Sequence, residues 1–120
     1  MNTFRFFDFP VYKDSKNFYK RCVQLTRNFP REFWELGDQL RRAALSVCLN
    51  VAEGSAKYSD KDFKRFIETS LGSINESVSC LDVAFDNTLI VLQSFNEMKI
   101  LGESIAKQLG GFSKKLRASS

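Results

Sequence analysis

Five residues able to form hydrogen bonds recur along one stretch of the chain: Gln39, Arg42, Ser46, Asn50 and Glu53. Spacings of three and four put them on one line of a helix, within about 80° of each other at about 100° per residue. Amide, guanidinium, hydroxyl and carboxylate groups in a row can contact a nucleic acid or another ligand. They can also form a satisfied network that fixes the register of neighbouring subunits. We favour the network, with Arg42 paired to a carboxylate. Glu76, on the following helix, is the intrachain candidate. Glu53 lies eleven residues from Arg42 and would meet it only from a neighbouring subunit.

A second set of residues is basic. Lys13, Lys16, Lys20 and Arg27 fall within about 60° on one helix, and Lys99, Lys107, Lys114 and Arg117 within about 80° on another. Such stripes are candidate contacts for a polyanion, and they would join if the first and last helices adjoin. Phe4, Phe6, Phe7, Phe9 and Tyr12 interleave with Arg5 and Lys13. An aromatic and basic tail can stack on unpaired bases. The competing expectation, preferred for the Phe residues, is a tail packed on its own bundle or on the next subunit.

Other chemistries lack their residues. The chain has no His, which removes imidazole acid–base schemes and the Glu-x-x-His di-iron motif. Cys22, Cys48 and Cys80 are an odd number, widely spaced, without C-x-x-C, so neither a disulfide framework nor a zinc knuckle is expected. They read as small apolar packing residues. Gly110-Gly111 lacks the strand and the Lys-Ser/Thr of a phosphate loop. Gly72-Ser73 reads as small-residue packing. No metal site, cofactor or enzymatic activity is expected. No secretory signal or membrane span is read, and free thiols suit a reducing cytoplasm.

The elements that must position these residues are helices. At 120 residues a single domain is the default. Phe18, Cys22, Leu25 and Phe29 recur at helical steps, predicting a first helix over residues 10–29 that ends before Pro30. A second is predicted over 32–53, ended by Gly54. A third opens at Ser59 with Asp62 and runs along Phe63, Ile67, Ser70, Ile74, Ser77, Leu81 and Ala84, fading near 87–91. Its Ser70 and Ser77 would let a neighbouring helix approach closely. A fourth should open on a capping box of Ser94 and Glu97, carry Met98, Leu101, Ile105, Leu109, Phe112 and Leu116 inward, and kink or fray at Gly110-Gly111. Residues 1–9 and about 117–120 are expected tails. The expected fold is all-α, an up-down-up-down four-helix bundle.

The second helix suggests assembly. Leu36, Leu40, Ala43, Ala44, Val47 and Val51 form its core stripe, and Trp34, Leu45, Leu49 and Ala52 form another apolar sector beyond the polar line. Two apolar sectors imply burial on several sides, hence self-association. Net charge is +4 but uneven: +5 over residues 1–31, −1 over 32–58, −3 over 59–89 and +3 over 90–120. Basic ends and an acidic middle fit a polyanion partner or head-to-tail subunit contact.

Three strings carry a resemblance: Phe29-Pro30-Arg31-Glu32, then Leu36-Gly37-Asp38-Gln39-Leu40-Arg41-Arg42-Ala43-Ala44-Leu45-Ser46, then Asn50-Val51-Ala52-Glu53-Gly54-Ser55. With Ser59, Asp62-Phe63, Arg65-Phe66 and Leu71-Gly72-Ser73-Ile74 with Glu76, they resemble the bacterial four-helix-bundle family found in intervening sequences of 23S ribosomal RNA genes. The resemblance spans about residues 11–110. It departs at Phe33, Lys57 and Asn75, none on the polar line. It implies a bundle assembled as a ring, a pentamer, and no settled activity. The accessory protein of diversity-generating retroelements is distantly similar, a basic pentamer that partners a reverse transcriptase and nucleic acid. The partners expected are therefore other copies of this chain and RNA, the alternative being a protein-interaction scaffold without nucleic acid.

Overall fold

The computed structural model describes residues 3–116. Among them are four α-helices, α1 (Pro10–Thr26), α2 (Trp34–Ser55), α3 (Asp60–Asp86) and α4 (Leu92–Lys115), and no strand. Short 3-10 turns at Arg5–Asp8 and Arg31–Phe33 lead into α1 and α2.

Each helix buries the stripe its period predicts. Phe18 and Cys22 of α1, Leu40, Ala44, Val47 and Val51 of α2, Ile67, Ile74 and Leu81 of α3, and Met98, Ile105 and Leu109 of α4 are at most 1% exposed. Removing one such large side chain from water contributes about 1.5–3 kcal/mol. α2 packs on α1 and α3, and α4 packs on α3 and α1, so four helices enclose one core. Ser70 lets α3 approach α2 closely, and its buried hydroxyl donates to the Val47 carbonyl at 3.0 Å.

The helix ends depart from the sequence expectations for tertiary reasons. α1 stops at Thr26, three residues early, and Phe29 turns inward to a 5% exposed site. The Thr26 hydroxyl donates back to the Cys22 carbonyl and accepts from Arg41 Nη1 at 2.8 Å. Gly54 does not terminate α2. It sits in the last turn with ordinary backbone angles. A Cβ there would lie 2.7 Å from Phe66 Cβ and 2.9 Å from Phe63 Cδ1, so the position is reserved for the crossing of α3. Ser59 caps α3 as expected, accepting from the Asp62 N–H at 3.1 Å.

The expected capping box of α4 is absent. The helix begins two residues before Ser94, behind Val91, and Glu97 instead accepts from Arg21 of α1 at 2.8 Å. α4 continues through Gly110-Gly111 to Lys115 without a break. Gly72 is no packing point within the chain, since a Cβ there would meet nothing within 4 Å, whereas its neighbour Ser73 bonds to α2. Among the described early residues, Arg5 is tied to the bundle. Arg5 Nε donates to the Ser55 carbonyl at 3.1 Å, and its guanidinium lies 5.3 Å from the Phe63 ring centre. No helix among the described residues is long and apolar enough to cross a membrane.

Candidate nucleic-acid interface

The polar line of α2 divides in two. Gln39 Nε2 donates to the Glu76 carboxylate, and the Ser46 and Ser73 hydroxyls are 2.9 Å apart, so these residues join α2 to α3. Asn50 Nδ2 donates to the Ser46 carbonyl at 2.8 Å and to its hydroxyl at 2.9 Å, extending the same seam. Arg42 stands apart. It pairs with neither Glu76 nor Glu53; its Nε reaches Asp38 Oδ2 at 3.1 Å, one helical turn away. The Arg42 side chain is 75% exposed, and Glu53 is exposed as well. Intrahelix spacing wins because Asp38 and Arg42 meet at i,i+4 without ordering a second helix. That partner was readable in the sequence from the spacing alone. Chemically the seam is a set of neutral and carboxylate acceptors and donors bonded to each other, and the Ser46 hydroxyl meets the Ser73 hydroxyl and the Asn50 amide.

The basic residues are where a polyanion can reach them. Lys13, Lys16, Lys20 and Arg27 on α1 and Lys107 and Lys114 on α4 are all exposed, and none has a carboxylate partner among the described residues. Arg117 lies outside the described residues. The two stripes do not meet across the α1–α4 seam. That seam is closed by Gln108 donating to Asp14 at 2.8 Å and by the Arg21–Glu97 pair. Asp14 and Arg21 lie about 120° around α1 from its basic stripe, which turns outward and toward α2. Arg21 holds the Glu97 carboxyl below its ordinary range, and the Gln93 amide adds to this.

The early aromatics also split. Phe9 leaves the cluster and packs on Phe112, with ring centres 5.4 Å apart. Phe6 lies 4.7 Å from Phe7 and 4.9 Å from Tyr12, and Phe4 is within 6.3 Å of both Phe rings. Phe4 and Phe7 remain 56% and 52% exposed, and Lys16 Nζ stands 5.0 Å over the Tyr12 ring. An aromatic cluster in which Phe7 is half exposed therefore adjoins Lys16 of α1. On the outward face of α2, Trp34, Leu45 and Leu49 are exposed, while α3 exposes Glu68, Asp82 and Asp86.

The cysteines are buried and free. Burial pushes the Cys22 thiol up to about 12 and Cys48 to about 11; it also raises Cys80. Thiols held protonated in this way are poor nucleophiles at neutral pH. No group of three or more Cys, Asp or Glu among the described residues is placed to hold a metal ion.

No curated protein matches this chain. Residues 8–111 match the model of one family, described as 23S rRNA-intervening sequence protein. That match covers most of the chain, and the protein belongs to the 23S rRNA-intervening sequence protein family.

Proposed function

We propose that this protein is a non-enzymatic helical bundle that assembles as a ring-shaped homo-oligomer, a pentamer, and associates with RNA. The observation that carries the RNA reading is the outward α1 stripe of Lys13, Lys16, Lys20 and Arg27, with no carboxylate partner among the described residues, which at Lys16 meets Tyr12 of the aromatic cluster. Cations bind phosphates without regard to sequence, and open rings stack on unpaired bases. Lys107 and Lys114 form a separate patch on α4. Repetition around a ring would turn each modest patch into a multivalent surface. The connections at residues 56–59 and 87–91 are short, and each helix packs on its sequence neighbours, which favours up-down-up-down order. Reduced, buried thiols suit a cytoplasmic setting.

A second reading, a protein-binding scaffold whose charged faces dock another protein without nucleic acid, is favoured by the exposed Glu68, Asp82 and Asp86 of α3, opposite in sign to the α1 stripe. Fluorescence anisotropy of a labelled structured RNA across a salt series separates the two. With RNA binding, log affinity falls steeply with log salt, by about 0.7–0.9 per phosphate neutralised. The Lys13→Gln, Lys16→Gln, Lys20→Gln triple variant then loses about two to three units of slope with its oligomeric mass unchanged. Absence of binding at low salt overturns the RNA reading and leaves the scaffold.

A further inference from the structure

A hollow of about 420 Å³ opens between the start of α1 and the last turns of α4, sharing Lys107 with the α4 basic patch. We propose that it binds a small free acid with an apolar body, an amphipathic carboxylate being the simplest form. Its walls are mainly apolar, from Phe9, Pro10, Val11 and Phe112. Gly111 also lines the hollow, and a Cβ there would meet nothing within 4 Å. Lys107 and Lys115 also line the hollow, four residues before and after that glycine. They share its flank of α4 and stand about 12 Å apart along the axis, at about 1.5 Å per residue. Both are exposed, and neither has a carboxylate partner among the described residues.

This combination selects the ligand class. An apolar enclosure in the range of about 300–1,000 Å³ suits a small molecule, and the few polar groups at its rim set orientation. Here those groups are two cations. The Gln108 amide nitrogen is already committed to Asp14 at 2.8 Å and Ser104 at 3.3 Å. A nucleobase edge would need paired donors and acceptors on the wall, and a cation would be repelled by both lysines. An acid can bury its body against Phe112 and Val11 and leave its charge beside an ammonium group. The site does not depend on RNA binding.

The probe is 8-anilinonaphthalene-1-sulfonate, an aromatic anion whose fluorescence rises in apolar surroundings, with decanoate as competitor. The full chain should bind one dye per subunit saturably, and decanoate should displace it. Gly111→Phe fills the hollow from a helical position that faces open space. It should weaken dye binding tenfold or more with an unchanged circular dichroism spectrum. Lys107→Gln with Lys115→Gln, which leaves the walls intact, should weaken it comparably. Unchanged affinity in Gly111→Phe would put the dye elsewhere, and unchanged affinity in the double lysine variant would remove the selection for anions. Failure of decanoate to displace the dye overturns the carboxylate assignment. If Gly111→Phe does not fold, the lysine variant and the competition decide.

Discussion

At the scale of single residues, the three thiols show how position sets chemistry. Cys22 sits in the centre of the core, fully buried, and desolvation lifts its pKa from 9.0 to about 12, with nearby Cys80 adding and Arg21 opposing. Cys48 rises to about 11 for the same first reason. At pH 8 about one in a thousand or fewer of these thiols is ionised. The sign follows from linkage. Below pH 9 both folded and unfolded thiols are protonated, and the cysteines leave stability flat. Between pH 9 and about 11–12 only the unfolded thiols ionise, so unfolding is favoured as pH rises. The expected outcome has two parts. A disulfide thiol reagent at pH 8 should modify Cys22 and Cys48 at the rate the bundle opens, and quickly in denaturant. Chemical denaturation should show stability falling above pH 9, by about 1.4 kcal/mol per pH unit for each fully buried thiol. Rapid modification of native Cys22 would contradict this burial.

At the scale of elements, the exit from α3 shows a local cost. The Leu89 N–H donates to the Ala84 carbonyl at 2.9 Å and the Thr88 N–H to Phe85 at 3.0 Å, the paired bonds of a Schellman ending. That ending needs a left-handed residue, and Thr88 supplies it at φ 59°. A β-branched side chain there is strained, where glycine is free. Thr88→Gly should therefore raise stability by about 1 kcal/mol in a denaturant titration, without changing the helical signal. A loss of stability would mean the Thr88 hydroxyl bond to the Asn87 carbonyl outweighs the strain.

The same comparison explains what the sequence made legible. The buried stripes, from Phe18 on α1 to Leu109 on α4, follow from a period of three and four, which needs no knowledge of neighbours. The ends depend on neighbours. Gly54 looks like a terminator until Phe63 and Phe66 lie across it, and Ser94 with Glu97 looks like a cap until Arg21 takes the carboxylate. Of the candidate site, residue types and exposure were legible on α1 and α4. The partners across from α2 were not, because Gln39 and Ser46 pair with α3 residues whose register the sequence does not show, whereas Asp38 was readable as the Arg42 partner from its i,i+4 spacing. The division of the early aromatics depends on Arg5 reaching Ser55, fifty residues away.

At the scale of the whole molecule, the surface is segregated in a way that favours contact between unlike faces of two copies. Lys13, Lys20 and Arg27 point outward from α1, and Leu45 and Leu49, 38% and 54% exposed, point outward from α2. Glu68, Asp82 and Asp86 are exposed on α3, beside Val83 at 43%. A basic, apolar face and an acidic one with its own apolar residue complement each other head to tail, and such contacts close into rings when the rotation allows. The apolar residues carry the energy in this scheme, since exposed ion pairs contribute about 0–1 kcal/mol each. Burying a leucine that is half open contributes about 1–2 kcal/mol, at about 25 cal/mol per Å². Leu45→Gln with Leu49→Gln should therefore leave the helical content intact, because both side chains lie outside the core, while weakening assembly tenfold to a hundredfold or more. Sedimentation equilibrium across a concentration series reads this directly: if the proposed ring forms, the wild type should keep its oligomeric mass as it is diluted, and the double variant should fall to smaller folded species. A salt series adds the decisive contrast. If charge alone joined the subunits, high salt would dissociate the wild type and the leucine substitutions would leave it assembled; if the apolar sector joins them, the wild-type assembly survives salt and only the double variant comes apart.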